Sequence, residues 1–286
     1  MLEHSFVHLK GVGPLTEERL WNSGVRTWSD LSDCAHEHFG PKKINQVLLE
    51  LEESRAALDA GELRYFQSRL KSAEMWRLLP LCEGAIAYLD IETTGLGFPP
   101  ECESTTIAVY FKGELFVEHE SEKKRQLLKH LDQHAKMFVT FNGLSFDLPF
   151  LRRETGLALS QAHLDLRVWL RRHGLTGGLK KIQSSLPQIH QRTSQDIDGF
   201  DAVRLWRMHK RGVPKALETL MTYNAEDTIV LEALVHLAYE FEVSAKSFLP
   251  LKTKARPVMP TIATQVDDYV YEILRGRESW DVPAHW

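Results

Sequence analysis

From Gly84 onward, apolar positions fall in short runs rather than at helical intervals. AIAYLDI, TTIAVYF (105–111) and KMFVTF (136–141) are brief, rich in β-branched and aromatic residues, and bounded by polar or glycine punctuation, so they predict strands. Lys112-Gly113-Glu114 predicts a turn, LFVEHE the strand after it, and AHLDL (162–166) a last short strand. Between and beyond these runs the spacing widens to that of helices. The segment 121–134 carries Leu127, Leu128 and Leu131 on one side, and further helices are predicted over 145–155, 166–173, 178–186, 199–210 and 214–242. A meander of strands, then strands alternating with helices, predicts an α/β fold with a mixed sheet.

Before Gly84 the pattern is helical. Val47, Leu48, Leu51, Leu58 and Leu63 recur among charges over 41–80. From Gly61 to Pro80, Tyr65, Phe66, Leu70, Trp76 and Leu78 predict a connector whose aromatics anchor it to the next domain. Near the start, Gly11-Val12-Gly13 makes a tight turn and Pro14 suits a first helical position. Leu15, Leu20 and Trp21 follow at helical spacing, and Thr27 or Ser29 suits a second helix cap. The expected organisation is a helical module (1–60), a connector (61–83), an α/β domain (84–245) and a C-terminal extension (246–286). That extension holds the basic, proline-punctuated LKTKARPVMP, expected to wrap the surface, and a last helix near 264–275.

Composition narrows the class. Apolar residues are 43% and charged residues 26% of 286, which is ordinary for a globular chain and excludes a mainly disordered one. No run approaches the ~18 apolar residues of a membrane span. The start, MLEHSFVHLKG, lacks signal-peptide texture. The three cysteines, Cys34, Cys82 and Cys102, are odd in number and form no CxxC, so a reducing cytoplasm is expected. The net charge of −4 confines any nucleic-acid site to a local patch. Such a patch exists: residues 163–215 hold 11 Lys/Arg against 4 Asp. Within it, Gly177-Gly178 before Leu179-Lys180-Lys181 predicts a helix N-terminus offering N–H groups and charge to phosphates.

The candidate chemistry is carboxylate. Asp90 and Glu92 lie two apart at the end of an apolar strand, hence on one face. Taken alone the pair is either a solvated acidic edge or a site. FNGLSFDLPFL places Asp147 early in a helix among Phe146, Leu148, Phe150 and Leu151. TYNAEDTIVLEAL stacks Tyr223 and Asp227 at i and i+4 on a buried helix. Asp165 is a fifth acid, either an outer partner of the site or a helix cap.

Asp90-x-Glu92, FNGxxFD and Tyr223-x-x-x-Asp227 resemble the three motifs of the DEDD exonuclease superfamily, the tyrosine marking its DEDDy branch. More narrowly, YLDIETTGL, VTFNGLSFDLPFL, HLDLR, GGLKKI and YNAEDT are similar, in that order, to the YprB-type ribonuclease-H-like family. The N-terminal segment 6–31 resembles a helix-hairpin-helix DNA-binding motif; a packing module that touches no nucleic acid is the alternative.

Several expectations follow, the fold, polarity and ion assignments from the resemblance and the metal chemistry and strand contacts from the residues themselves. The fold is ribonuclease-H-like, a mixed sheet flanked by helices, with a small all-α module before it. The activity is 3′–5′ exonucleolytic, on single-stranded or frayed DNA, with an exoribonuclease or an idle nucleic-acid-binding module as alternatives. Four converging carboxylates repel one another, and two divalent cations offset them. All-oxygen ligands favour Mg²⁺ or Mn²⁺, and two ions about 3.5–4 Å apart suit in-line phosphoryl displacement. Asp90 is expected to touch both ions, Glu92 and Asp227 to hold the one that activates water, and Asp147 to support the second through water. Tyr223, with an ordinary pKa of about 10, is a poor base and is expected to orient the water. Nucleic-acid contacts are expected from Thr93, Thr94, Leu96, Asn142, Phe146, Lys180, Lys181, Gly11 and Gly13, and surface or capping roles from His163 and His173.

Overall fold

A computed structural model describes residues 1–189, 192–194, 197–252, 260, 262 and 266–275. Its centre is a five-stranded mixed sheet of order β3-β2-β1-β4-β5. Strands β1 (Ile86–Thr93), β2 (Ser104–Phe111) and β3 (Glu114–Glu118) form an antiparallel meander. Strands β4 (Met137–Thr140) and β5 (Ala162–Asp165) add in parallel on the other side of β1. The β2–β3 hairpin closes through Lys112 (φ 52°) and Gly113 (φ 84°). Two left-handed residues in a row give the mirror-image turn whose twist matches that of the strands.

The two faces of the sheet bury different side chains. Ala87, Leu89 and Ile91 of β1 share one face with Ile107, Val109 and Phe138. They pack on Leu128 and Leu131 of α5 (Ser121–His134) and on Leu148, Phe150 and Leu151 of α6 (Asp147–Thr155). Tyr88, Tyr110, Met137 and Val139 pack on the opposite side against Val230, Leu231 and Leu234 of a long helix, Ala216–Ala245. The strand period of two therefore gives Asp90 and Glu92 the face of Tyr88, towards that helix. Strand β2 is buried along its whole length, as a strand covered on both faces must be.

The N-terminal part is entirely helical: α1 (Pro14–Asn22), α2 (Trp28–His38), α3 (Pro41–Asp59), α4 (Leu63–Gln67) and a 3-10 stretch, Ser72–Leu81. Thr27 caps α2 in a reciprocal box with Asp30. One cluster of buried side chains runs from Leu2, Phe6 and Trp28 through Phe66 and Trp76 to Trp169 and Leu234. Trp76 stacks on Trp169 with ring centroids 6.0 Å apart, as expected of anchoring aromatics. Arg77 is buried between Glu17 and Glu74, at 2.8 Å from each, and Glu74 also receives Arg172 at 2.6 Å. Two expectations change here. Leu15 points to solvent, 77% exposed, because α1 turns Glu17, Leu20 and Trp21 inward and Leu15 lies on the opposite side of the helix. The residues before Pro80 form a 3-10 stretch rather than an α-helix.

The remaining helices are α7 (Leu166–Arg171), α8 (Leu179–Ser184), α9 (Gly199–Lys210), α10 (the Ala216–Ala245 helix) and α11 (Asp268–Arg275). Most of LKTKARPVMP, with the start of the helix expected from 264, lies outside the described residues. Among the described residues no helix is long and apolar enough to cross a membrane.

Candidate active site

Asp90 and Glu92 lie at the carboxyl end of β1, where α10 crosses the sheet. Carboxylate oxygens of Asp90, Glu92 and Asp227 all lie within 4.8 Å of one another. Glu92 and Asp227 are buried, and Asp90 is half-buried. Asp147, the first residue of α6, stands alongside. Its carboxyl accepts from the Ile91 N–H, in β1 between the two other acids, and feels the charge of Asp90.

This crowding shows in the protonation energetics. Burial raises Asp90 to about 7, against the pull of an Asn224 hydrogen bond and of Arg192. Burial, then the charges of Asp90 and Asp147, holds Glu92 well above the usual carboxylate range. Burial and Asp90 do the same to Asp147. Each acid opposes the ionisation of its neighbours, so bound cations would stabilise the fully charged set. The donor atoms are all oxygens and include no thiolate or imidazole, which suits hard divalent ions such as Mg²⁺ or Mn²⁺. The Oδ1 of fully buried Asn224 also lacks a hydrogen-bond partner.

Tyr223 is 4% exposed, one turn before Asp227 on α10. Burial, Glu92 and Asp90 push its phenol far above the ordinary value, so it is a hydrogen-bond donor and not a base. Lys180 brings its Nζ to 4.6 Å from the Tyr223 ring centroid, and that Nζ has no hydrogen-bond partner. Burial and the positive charge of Arg192 pull its pKa down to about 8. Lys181, its neighbour, is exposed.

Other predicted contacts are placed less directly. Thr93 donates to the Gly95 carbonyl at 2.6 Å, and Thr94 receives the Glu103 N–H at 3.1 Å, so both hydroxyls shape the turn after β1. Leu96 is 84% exposed beside that turn. Asn142 takes a left-handed backbone, φ 71°, and its Oδ1 accepts from Arg167 at 2.7 Å and from Ser145 at 3.1 Å. Its side chain is therefore engaged in the loop itself. Phe146 packs on Phe98 and Phe150, with centroids at 5.8 and 5.6 Å. Gly11 (φ 71°) and Gly13 form the loop before α1, in a cleft of about 600 Å³ that Lys10, Arg69 and Lys71 also line. Among the described residues, none of the clustered acids lines this cleft.

Asp165 resolves as a cap. Its carboxylate receives Arg167 N at 2.9 Å at the start of α7, and Asn142 N and Leu144 N at 2.9 and 3.0 Å. It thereby fixes the loop that delivers Asp147. His163 is half-buried: it hydrogen-bonds Thr140 Oγ1 at 2.8 Å, and burial lowers its pKa to about 4. His173 faces Glu242 at 3.2 Å.

Sequence reasoning missed Asn224, Glu226 and Arg192. Asn224 Nδ2 donates to Asp90 Oδ2 at 2.7 Å. Glu226 receives Thr193 and Ser194, and Arg192 forms an ion pair with Asp227. Asn224 and Glu226 sit in the YNAED string, adjacent to the two residues singled out there. Arg192 carried only a weak signal, as one of many cations in a basic stretch.

The fold is a mixed α/β sheet of order 3-2-1-4-5 with an all-oxygen acid cluster, able to hold a metal ion, at the end of its first strand. Residues 87–239, more than half of the chain, match the RNase H superfamily, and the chain belongs to it. No curated protein matches the sequence. The superfamily indicates a nuclease, and hence a nucleic-acid substrate.

Proposed function

We propose that the chain is a 3′–5′ exonuclease of the DEDDy type, of YprB-type character, that hydrolyses single-stranded or frayed DNA with two divalent ions, Mg²⁺ or Mn²⁺. The observation that carries this reading is the convergence of Asp90, Glu92 and Asp227 within 4.8 Å, with Asp147 and Tyr223 beside them. Asp90, Glu92, Asp147 and Asp227 would hold the ions. Bound there, the ions would supply Lewis-acid activation of water and of the phosphoryl oxygens.

The protein side chains do the positioning. Asn224 holds the Asp90 carboxylate in one orientation through its 2.7 Å hydrogen bond. Tyr223 keeps its proton and orients the attacking water as a donor. Lys180 meets a phosphate of the bound strand with its unpartnered ammonium, and exposed Lys181 lies further along the same track. The Thr93–Thr94 turn and exposed Leu96 meet the terminal nucleotide, and half-buried Phe146 stands beside them for a base. The Asn142 side chain, being engaged, contributes through the loop that carries Asp147.

The 3′ polarity rests on the motif resemblance. DNA over RNA rests on the Gly11–Gly13 loop, whose basic cleft suits a phosphate backbone. Three unpaired cysteines suit a cytoplasmic setting. The test is degradation of matched, end-labelled DNA and RNA strands with and without Mn²⁺, resolved by size. Metal-dependent loss of DNA from its 3′ end is expected. Preferential loss of RNA would assign an exoribonuclease, and binding without hydrolysis would assign an idle binding module.

A further inference from the structure

One cation already lies inside the acid pocket. Arg192 belongs to the segment between α8 and α9, and the next two residues are clasped onto α10 by Glu226. Thr193 N and Oγ1 donate to Glu226 Oε1 at 2.7 and 2.6 Å, Ser194 N donates to Oε2 at 3.1 Å, and Ser194 Oγ donates to Oε2 as well. Glu226 immediately precedes Asp227 on the helix, so the clasp sets Arg192 over the acid cluster. Arg192 is 6% exposed, forms an ion pair with Asp227, and its Cζ lies 5.8 Å from the Tyr223 ring centroid. A buried guanidinium is costly unless counter-charges surround it. Here the counter-charges are Glu226 and two of the carboxylates assigned to the metal, Asp90 and Asp227.

An ion and a guanidinium cannot share the same Asp227 oxygen. We propose that Arg192 is the resident counter-cation of the site. It holds Asp227 while divalent ions are absent, yields to them as they enter, and then turns to a non-bridging oxygen of the bound phosphodiester. This rests on the metal-nuclease reading and adds a positioning residue to it. Guanidinium matches a phosphate's paired oxygens, so the exchange replaces one anionic partner by another and breaks no covalent bond. A guanidinium serving stability alone would leave metal affinity unmoved.

The test titrates Mn²⁺ calorimetrically into the full-length protein and its Arg192→Ala, Arg192→Lys, Glu226→Gln and Lys180→Gln variants. Binding of a single-stranded oligonucleotide is then measured in Ca²⁺. Arg192→Ala is expected to bind Mn²⁺ about 5- to 10-fold more tightly and the oligonucleotide about 10-fold more weakly. Glu226→Gln, which loosens the clasp, should shift Mn²⁺ affinity in the same direction, and Arg192→Lys should stay near wild type. Lys180→Gln removes an equal charge that does not touch Asp227, and a smaller gain is expected. Unchanged or weaker Mn²⁺ binding in both Arg192→Ala and Glu226→Gln overturns the proposal, as does an equal gain in Lys180→Gln. Should no protein in the series take up Mn²⁺, the metal reading itself falls and takes this proposal with it. Should wild type bind and the variants match it, only the role of Arg192 falls. If Arg192→Ala fails to fold, Glu226→Gln and Arg192→Lys decide.

Discussion

Asn224 donates its side-chain N–H to Asp90 at 2.7 Å, tying the long helix to the central strand at the acid pocket. The bond aims one carboxylate oxygen and leaves the other for an ion. Partners that orient a metal-binding carboxylate typically matter by 10- to 100-fold. Asn224→Ala is therefore expected to lower Mn²⁺ affinity or turnover by about 10- to 100-fold while circular dichroism stays native. Wild-type values on both measures would remove Asn224 from the site.

Tyr223 holds its proton firmly, since burial and two acids oppose its ionisation. Its contribution is one donated hydrogen bond. Tyr223→Phe should slow hydrolysis by about 10- to 100-fold, with Mn²⁺ affinity unchanged by calorimetry. An unaltered rate would make it a packing residue beside Asp227.

The buried Arg77–Glu17 pair links α1 to the stretch that leads into the sheet. Removing one partner strands the other charge in the core. Glu17→Ala is expected to cost about 3–5 kcal/mol in urea unfolding, with one cooperative transition retained. Because residues 1–40 share that buried cluster, deleting them would expose the connector's core; point changes at the cleft, such as Lys10→Glu or Lys71→Glu, test its DNA role cleanly.

His8 is packed between Trp28 and Phe66 and bonds Ser54 at 3.0 Å. Burial, then Arg77 and Arg69, lowers its pKa to about 3. The folded state keeps it neutral, while the unfolded chain protonates near 6.5. Stability is thus full above that value and falls as pH drops from about 6.5 towards 3. Between pH 7 and pH 5 the loss from this residue is about 2 kcal/mol. Urea titrations should show His8→Gln losing less stability than wild type over that interval; parallel losses would contradict the assignment.

The strands were legible because each is a short apolar run closed by a recognisable turn, and β1 ends on its paired acids. The α5 and α9 boundaries matched the expected 121–134 and 199–210. Leu20 and Trp21 are buried while Leu15 is exposed, because its spacing from them puts it on the other side of α1. Ser72–Leu81 buries Glu74 through Leu79 in succession, a tertiary constraint that periodicity does not register. Asp165 needed the structure, since a cap and a site acid look alike in sequence. Arg192 depends on a clasp made by Glu226, a residue over 30 positions away, and no local pattern announces that contact.

The most direct measurement follows 5′-labelled single-stranded DNA with wild type and Asp90→Asn, each in Mn²⁺ and in EDTA. The account predicts stepwise shortening from the 3′ end by wild type in Mn²⁺, and an intact strand in the other three reactions. Shortening in EDTA, or Asp90→Asn working at the wild-type rate, would contradict a metal-filled carboxylate pocket as the seat of catalysis.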